Sequence, residues 1–367
     1  MSHGNATLKD LAKKLDVSIA TVSRALSGQD RISPETRKRV EMAAREIGYC
    51  PNRAARALVS GQTGLAALVL PDRPDGGCAF DLGRMISNLS GALMRRGIDL
   101  LVTQVPPGRS DCEALTKLIG SRKADSIILT DIRENDPRLA LLNEHRFPHV
   151  AFGAARPIAD GGIPATAWVG CDAHGVAARA TRLLLGHGHR RFALLRWCEP
   201  TLFRARWTAG VATALRAAGG SQTDLQVATL AFADHRGRLA EIRRLLGAPS
   251  RPTAILGLDD TLALEAIRVA EGMGLSVPED LSVVGFGNLP AGSHSSPGLT
   301  SFDPDLARCA DLLAEAIAPL IGRIRTGGSA VAERSVTPRL ILRESHGAVP
   351  DGRPAASEPV PICFENV

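Results

Sequence analysis

Between Thr7 and Gly48 the chain carries three apolar stripes at helical spacing, each bracketed by its own start and stop signals, and no other feature constrains the fold as tightly. Leu8, Leu11, Ala12 and Leu15 fall at i, i+3, i+4 and i+7, one face of an amphipathic helix. Asp16-Val17 turns the chain, and Ser18 is placed to cap a second helix over Ile19–Leu26 that turns Val22, Ala25 and Leu26 inward. Ser33-Pro34-Glu35 opens a third helix with a cap and a proline at its first position. Val40, Ala43, Ala44 and Ile47 form its stripe, and Gly48 ends it. Two helices joined by a tight turn describe a helix-turn-helix.

The outward face of the second helix carries Ile19, Ala20, Thr21, Ser23 and Arg24. Short side chains let such a helix enter a major groove, where hydroxyls and an arginine address bases and phosphates. Any small helical bundle with a solvated polar face is the alternative on this pattern alone. The wording of the segment goes further: Ser18-Ile19-Ala20-Thr21-Val22-Ser23-Arg24-Ala25-Leu26-Ser27-Gly28, Ser33-Pro34-Glu35-Thr36-Arg37 and Gly48-Tyr49-Cys50-Pro51-Asn52-Arg53-Ala54-Ala55-Arg56-Ala57-Leu58 resemble the lactose-repressor (LacI/GalR) family of bacterial transcription regulators, almost without gaps. The resemblance implies that the last stretch is a hinge helix (about 52–60) that forms on operator DNA, with Leu58 as an apolar wedge in the minor groove. It sets Ile19 and Ala20 at the base-reading pair, where contact with thymine methyls replaces direct hydrogen bonds. Thr7, Ser33, Thr36 and Asn52 then meet phosphate, Arg31 reaches backbone or bases, and Leu8, Ser18, Thr21, Ser23, Arg24 and Ala55 complete the DNA-contacting set.

Charge agrees with that division of labour. The chain's net charge is 44 − 38 = +6, and residues 1–63 hold eleven Lys/Arg against six Asp/Glu, or +5. A basic head on a near-neutral body fits a polyanionic partner for the head alone. The seven cysteines (Cys50, Cys78, Cys112, Cys171, Cys198, Cys309, Cys363) form no CxxC pair and no metal-ligand spacing. His187 and His189 have no third ligand at suitable spacing and read as surface or turn residues, so neither metal nor cofactor is expected. With no signal peptide and no apolar run of membrane-spanning length, the expectation is a cytoplasmic protein with no membrane partner.

After Gly64 short apolar runs alternate with amphipathic segments. Leu65–Leu70, Ile98–Thr103, Ser126–Leu129, His149–Phe152, Phe192–Leu195, Thr253–Gly257 and Leu281–Gly285 read as buried strands. Leu82–Arg96, Glu113–Ser121, Asp136–Glu144, His174–Gly186, Arg206–Ala218, Arg236–Leu246 and Thr261–Gly272 read as helices. Such alternation predicts parallel sheets with helices on both faces, and the Pro/Gly-rich stretch 154–164 divides them into two α/β subdomains around a cleft. Gly186-His187-Gly188-His189-Arg190-Arg191-Phe192-Ala193 and Val277 to Phe286 look like the family's effector-binding core, which shares the fold of periplasmic sugar-binding proteins. The resemblance implies a head over 1–62, a core over 63–345 and three crossings near 154–164, 287–301 and 323–335. Subdomain one then spans about 64–156 and 302–323, and subdomain two about 164–287 and 335–345. Residues 346–367 lack periodicity and read as a disordered tail. Without leucine heptads there, a homodimer is expected.

The cleft's chemistry departs from the family's pattern. Trp207 stands where the family places an arginine, three residues before Gly210, and Gly287-Asn288 replaces the aspartate that usually follows Val-Gly-Phe. Candidate effector contacts are Phe80, Asp131, Arg206, Trp207, Phe232 and Asp259, with Trp207 or Phe232 as platform and Asp259 as hydroxyl acceptor for a sugar or sugar derivative. Asp172 and Asp260 read as helix caps. Three classes compete: a ligand-responsive repressor, a sugar-binding protein, and an enzyme. A transport protein has no use for a basic head, and no nucleophile elbow, P-loop or glycine fingerprint supports catalysis. A regulator that has lost classical effector binding stays open beside the first.

Overall fold

The computed structural model describes residues 6–26, 32–49, 61–72, 81–154, 167–219, 225–322 and 333–349, and divides into two compact units, Met1–Gly64 and Leu65–Val367.

In the first unit the three stripes become α1 (Leu8–Leu15), α2 (Ile19–Leu26) and α3 (Pro34–Glu46). Local chemistry sets each end. The Thr7 hydroxyl accepts from the Asp10 amide while the Asp10 carboxylate accepts from the Thr7 amide at 2.9 Å, a reciprocal capping box. Asp16 ends α1 in the left-handed region at φ 53°. Ser18 Oγ accepts from the Thr21 amide at 3.0 Å and Ser33 Oγ from the Thr36 amide at 3.2 Å, so both serines cap as expected. Gly48, at φ 64°, supplies the left-handed turn after α3 that a side chain resists. Leu11, Ala12, Val22, Ala25, Val40, Ala43 and Ala44 bury one another, with Leu8, Leu15, Val17, Ile47 and Tyr49 packed around them.

In the second unit each lobe is a six-stranded sheet wrapped by helices. The first runs β11-β5-β4-β3-β1-β2 and is wholly parallel: β1 (Leu65–Leu70), β2 (Asp99–Gln104), β3 (Ser126–Leu129), β4 (His149–Ala154), β5 (Ala167–Cys171) and β11 (Glu333–Val336). Helices α4 (Leu82–Met94), α5 (Asp111–Gly120), α6 (Pro137–Glu144) and α12 (Leu306–Gly322) belong to this lobe. The second sheet runs β12-β10-β9-β8-β6-β7. Its parallel strands are β6 (Phe192–Trp197), β7 (Leu225–Leu230), β8 (Ala254–Gly257), β9 (Ser282–Phe286) and β10 (Thr300–Asp303), closed by antiparallel β12 (Arg339–Ile341). Helices α7 (Ala173–Gly186), α8 (Leu202–Ala217), α9 (His235–Leu246), α10 (Asp260–Gly272) and the short α11 (Pro290–His294) complete it. Helices α7 and α8 meet at Gly210, where a Cβ would strike the His174 carbonyl and the Ala177 methyl.

The pairing moves the lobe boundaries. Strand β5 pairs with β4, so the first crossing follows at Asp172, not at 154–164; residues 155–166 lie outside the described set. Residues 287–301 do not cross: β9 and β10 are neighbours in one sheet, and the chain crosses at Pro304-Asp305 before α12 packs against the first lobe. Strand β11 pairs with β5, so the last crossing is Thr337-Pro338. These strands escape a periodicity reading because they are short, and β7 is an edge strand with alternating exposure.

Order also extends past residue 345. Ser345 accepts from the Val283 amide at 2.7 Å, the Gly347 amide donates to Ser282 Oγ at 3.0 Å, and the Val349 amide donates to the His187 carbonyl at 3.0 Å. Residues 346–349 are therefore a strap on the second lobe, not the start of a loose tail; 350–367 lie outside the described set. Under that strap His189 is buried between Thr253, Ser282 and the Gly347 carbonyl, which corrects its reading as a surface residue. Burial pushes its pKa down to about 4.

Candidate functional site

On the first unit, α2 presents Ile19, Ala20, Ser23 and Arg24 to solvent, with Thr21 half-buried. Ile19 is 49% exposed on a helix whose other large apolar groups face the core. The hydroxyls of Thr7, Ser18, Thr21, Ser33 and Thr36 cluster at helix N-termini, in the Thr7–Asp10, Ser18–Thr21 and Ser33–Thr36 pairs. Three helix starts with their leading amides, beside a basic surface, form the electrostatic pattern that attracts phosphates. Leu8 is half-buried against the bundle core. Arg31, Asn52, Ala55, Leu58 and the hinge helix lie outside the described residues.

On the second unit, the cleft between the lobes holds a cavity of about 70 Å³ that is partly open to solvent. Phe152, Gly153, Gly170, Cys171, Ile132, Leu306 and Cys309 line it from the first lobe, and Phe203 and Phe286 from the second, with Thr201 and Asp131 as polar side chains. The parallel order of the sheets brings them together, because Phe152, Cys171 and Phe286 stand at or near the carboxyl ends of β4, β5 and β9. Burial pushes the Cys171 and Cys309 thiols up to about 12, so both are neutral, weakly polar wall groups.

Among the described residues, Asp131 is the one predicted effector residue that lines this cavity. Its backbone is left-handed, at φ 53°, and a buried ion pair holds the loop behind it. The Arg138 guanidinium bonds to both Asp136 oxygens and donates to the Thr130 and Asp131 carbonyls at 3.0 Å. Burial works against the Asp136 charge, yet the Arg138 fork keeps its carboxyl below the usual range. The lobes also touch here: Arg133 and Thr201 form an antiparallel bridge and the Leu202 amide donates to the Ile132 carbonyl at 2.7 Å. Arg84 of α4 donates to the Asn288 carbonyl at 3.2 Å, a second polar tie across the cleft.

The other expected contacts lie elsewhere. Trp207 is wholly buried beneath the cavity, with its ring 5.7 Å from Phe203 and 5.2 Å from Phe286, so it backs the wall and leaves the face to them. Arg206, half-buried on α8, and Phe232 are absent from the cavity lining; Phe232 packs on Trp197 at 5.0 Å, with the Arg238 guanidinium 5.5 Å from its ring. Asp259 caps α10 by accepting from the Leu262 amide at 3.0 Å and accepts the Trp197 indole N–H at 2.5 Å, so both its oxygens are engaged. Its burial raises its pKa to about 7. Asp172 caps α7, whereas Asp260 caps nothing and holds Ser301 and the Leu289 amide at 2.6 and 2.7 Å. Asn288 bonds to Asp303 and Arg343. Phe80 is outside the described residues. Sequence reasoning missed Phe152, Phe203 and Phe286; collecting aromatics at strand carboxyl ends would have found two of them.

Comparison with known proteins completes the description. A family model described as bacterial regulatory proteins, lacI family, matches residues 7–52, and one for a periplasmic binding protein-like domain matches 181–346. The chain is 33% identical to the HTH-type transcriptional regulator AglR of Rhizobium meliloti (strain 1021) over 95% of its own length and 96% of that protein's. It is 32% identical to the HTH-type transcriptional regulator CelR of Thermobifida fusca, covering 92% and 98%. Among solved structures, a transcriptional regulator CelR–cellobiose complex superimposes with a TM-score of 0.65 at 28% identity, covering 93% of this chain and all of that one. The lac repressor dimer bound to operator and the anti-inducer ONPF shares the fold, with a TM-score of 0.74 at 21% identity over 94% of this chain and all of that one.

Proposed function

Since the chain belongs to the LacI family of bacterial regulatory proteins, and so is a DNA-binding transcriptional regulator, we propose that it represses transcription as a homodimer whose grip on a palindromic operator is set by a small carbohydrate-type effector in the interlobe cleft. The observation that carries the DNA reading is α2 itself, a capped helix that turns Val22 and Ala25 into the bundle and leaves Ile19, Ala20, Ser23 and Arg24 outside. Two such helices, one per subunit, read half-sites related by the dimer axis. Ile19 and Ala20 favour thymine methyls, Ser23 and Arg24 take bases or phosphates, and the helix starts at Thr7, Ser18 and Ser33 grip the backbone. Closure of the lobes around an effector changes the hinge, and through it the grip on DNA. The cellobiose held by the CelR structure supports a carbohydrate.

Specific affinity is expected at about 10⁻⁸ to 10⁻¹¹ M, falling steeply with salt. Leu58→Ala tests the wedge: specific binding should weaken toward the nonspecific level and operator bending should be lost, measured by anisotropy and circular-permutation gel shift. Unchanged specific affinity removes Leu58 from the interface.

A further inference from the structure

The described walls of the cavity between the lobes are mainly apolar, and so suit a ring better than the hydroxyl-rich face of a sugar. A pyranose ring carries several hydroxyls, and each one buried without a partner loses its hydration for nothing. Among the described residues, the side chains lining this cavity are three phenylalanines, an isoleucine, a leucine, a proline and two protonated thiols, against one hydroxyl and one carboxylate. The residues that could have supplied more hydrogen bonds are engaged elsewhere: Asp259 with Trp197 and its own helix, Asn288 with Asp303 and Arg343. At the position where an arginine fork is expected, Trp207 fills the space and packs behind Phe286 and Phe203.

What such walls do hold is a flat apolar ring. Phe203 and Phe286 stand with ring centroids 5.2 Å apart and tilted 49°, an arrangement that offers a third ring both an edge and a face. Thr201, whose oxygen accepts from the Arg204 amide at 3.2 Å, keeps its hydroxyl proton for one acceptor of the guest, and the Asp131 carboxylate in the wall disfavours an anion. We infer that the effector buries an uncharged aromatic ring in this cavity, against Phe152, Phe203 and Phe286. The inference rests on the reading of the cleft as the effector site. The ring can come from two sources, the aglycone of an aryl glycoside or a free neutral phenolic compound.

The test uses the full-length chain and three kinds of probe: phenyl glucoside and galactoside, the matching methyl glycosides, and phenol. Calorimetric titration and thermal shift report binding, and anisotropy on operator DNA is read separately, so a failed regulator reading shows as absent specific DNA binding. Burying a ring predicts that a phenyl glycoside binds on the order of 10–100 times more tightly than its methyl counterpart. Phe203→Ser should reduce that ratio below about threefold. Cys309→Leu, which adds apolar volume to the wall, should weaken phenyl binding, and the unliganded melting temperature is read beside it to separate overpacking from a blocked cavity. Phenol binding as tightly as the phenyl glycosides supports the ring and removes the carbohydrate from the earlier reading. Methyl glycosides that match their phenyl counterparts, or no shift with any aromatic probe, overturn the inference.

Discussion

Leu11→Ala is the sharpest structural perturbation of the DNA-reading unit. Four of the seven buried apolar residues that form its core are already alanines, so Leu11, wholly buried, carries much of the apolar volume. Removing its branched end leaves a void lined by Val22 and Val40 that small neighbours cannot refill, at a cost of about 3 kcal/mol. A unit of this size has only about 3–5 kcal/mol of stability. The loss should therefore lower its melting transition by more than about 10 °C and bring it to the margin of unfolding at room temperature. The three tryptophans, Trp168, Trp197 and Trp207, all lie in the second unit, while the single tyrosine, Tyr49, packs in the first. Calorimetry should thus show the early transition displaced while tryptophan emission against urea stays as in the parent. An early transition within about 3 °C of the parent would refute the packing argument, and a matching change in tryptophan-detected unfolding would show that the loss is not confined to the first unit.

Two further outcomes follow for the core. Arg138→Met keeps most of the side-chain volume but strands the buried Asp136 carboxylate, and should cost about 3–5 kcal/mol in tryptophan-monitored urea unfolding; a loss under about 1 kcal/mol would contradict the ion pair's role. Asp259 and His189 give opposite pH dependences. Asp259, raised from 3.8 to about 7, contributes stability that is lost as pH rises through that interval, whereas His189, lowered from 6.5 to about 4, contributes stability that is lost as pH falls through its own. Between pH 4 and 6.5 the two offset each other. Asp259→Asn should therefore leave a core that weakens on acidification, and His189→Asn one that weakens toward neutrality; parallel slopes in the two variants would show that one of these environments is wrong.

Much of this molecule is legible in its sequence because the head is built locally. Caps at Ser18 and Ser33 and stripes at helical spacing need no information from beyond a few residues, and they mark the helices that form. The α/β alternation is legible for the same reason wherever strands are long and mostly buried, as in β1 and β6. Topology is not local. Nothing in Ala167–Cys171 says that it pairs with β4 before the chain crosses, and nothing in Thr300–Asp303 says that it stays beside β9. The cleft suffers most, because its wall is assembled from β4, β5, β9, α8 and α12. Trp207 and Asp259 were sound candidates by position, but the depth of a side chain in a folded wall is a property of its neighbours, and Phe203 and Phe286 cover the one while Trp197 engages the other.

The central claim, sequence-specific reading of DNA by a symmetric pair of α2 helices, is tested most directly by selecting bound fragments from random duplex DNA with the full-length chain and sequencing them. The account predicts enrichment of one inverted repeat, with A·T pairs where Ile19 and Ala20 meet the major groove, and a shift at those positions alone in an Ile19→Gln variant. A pool with no enriched motif, or a motif without two-fold symmetry that Ile19→Gln leaves unchanged, would contradict it.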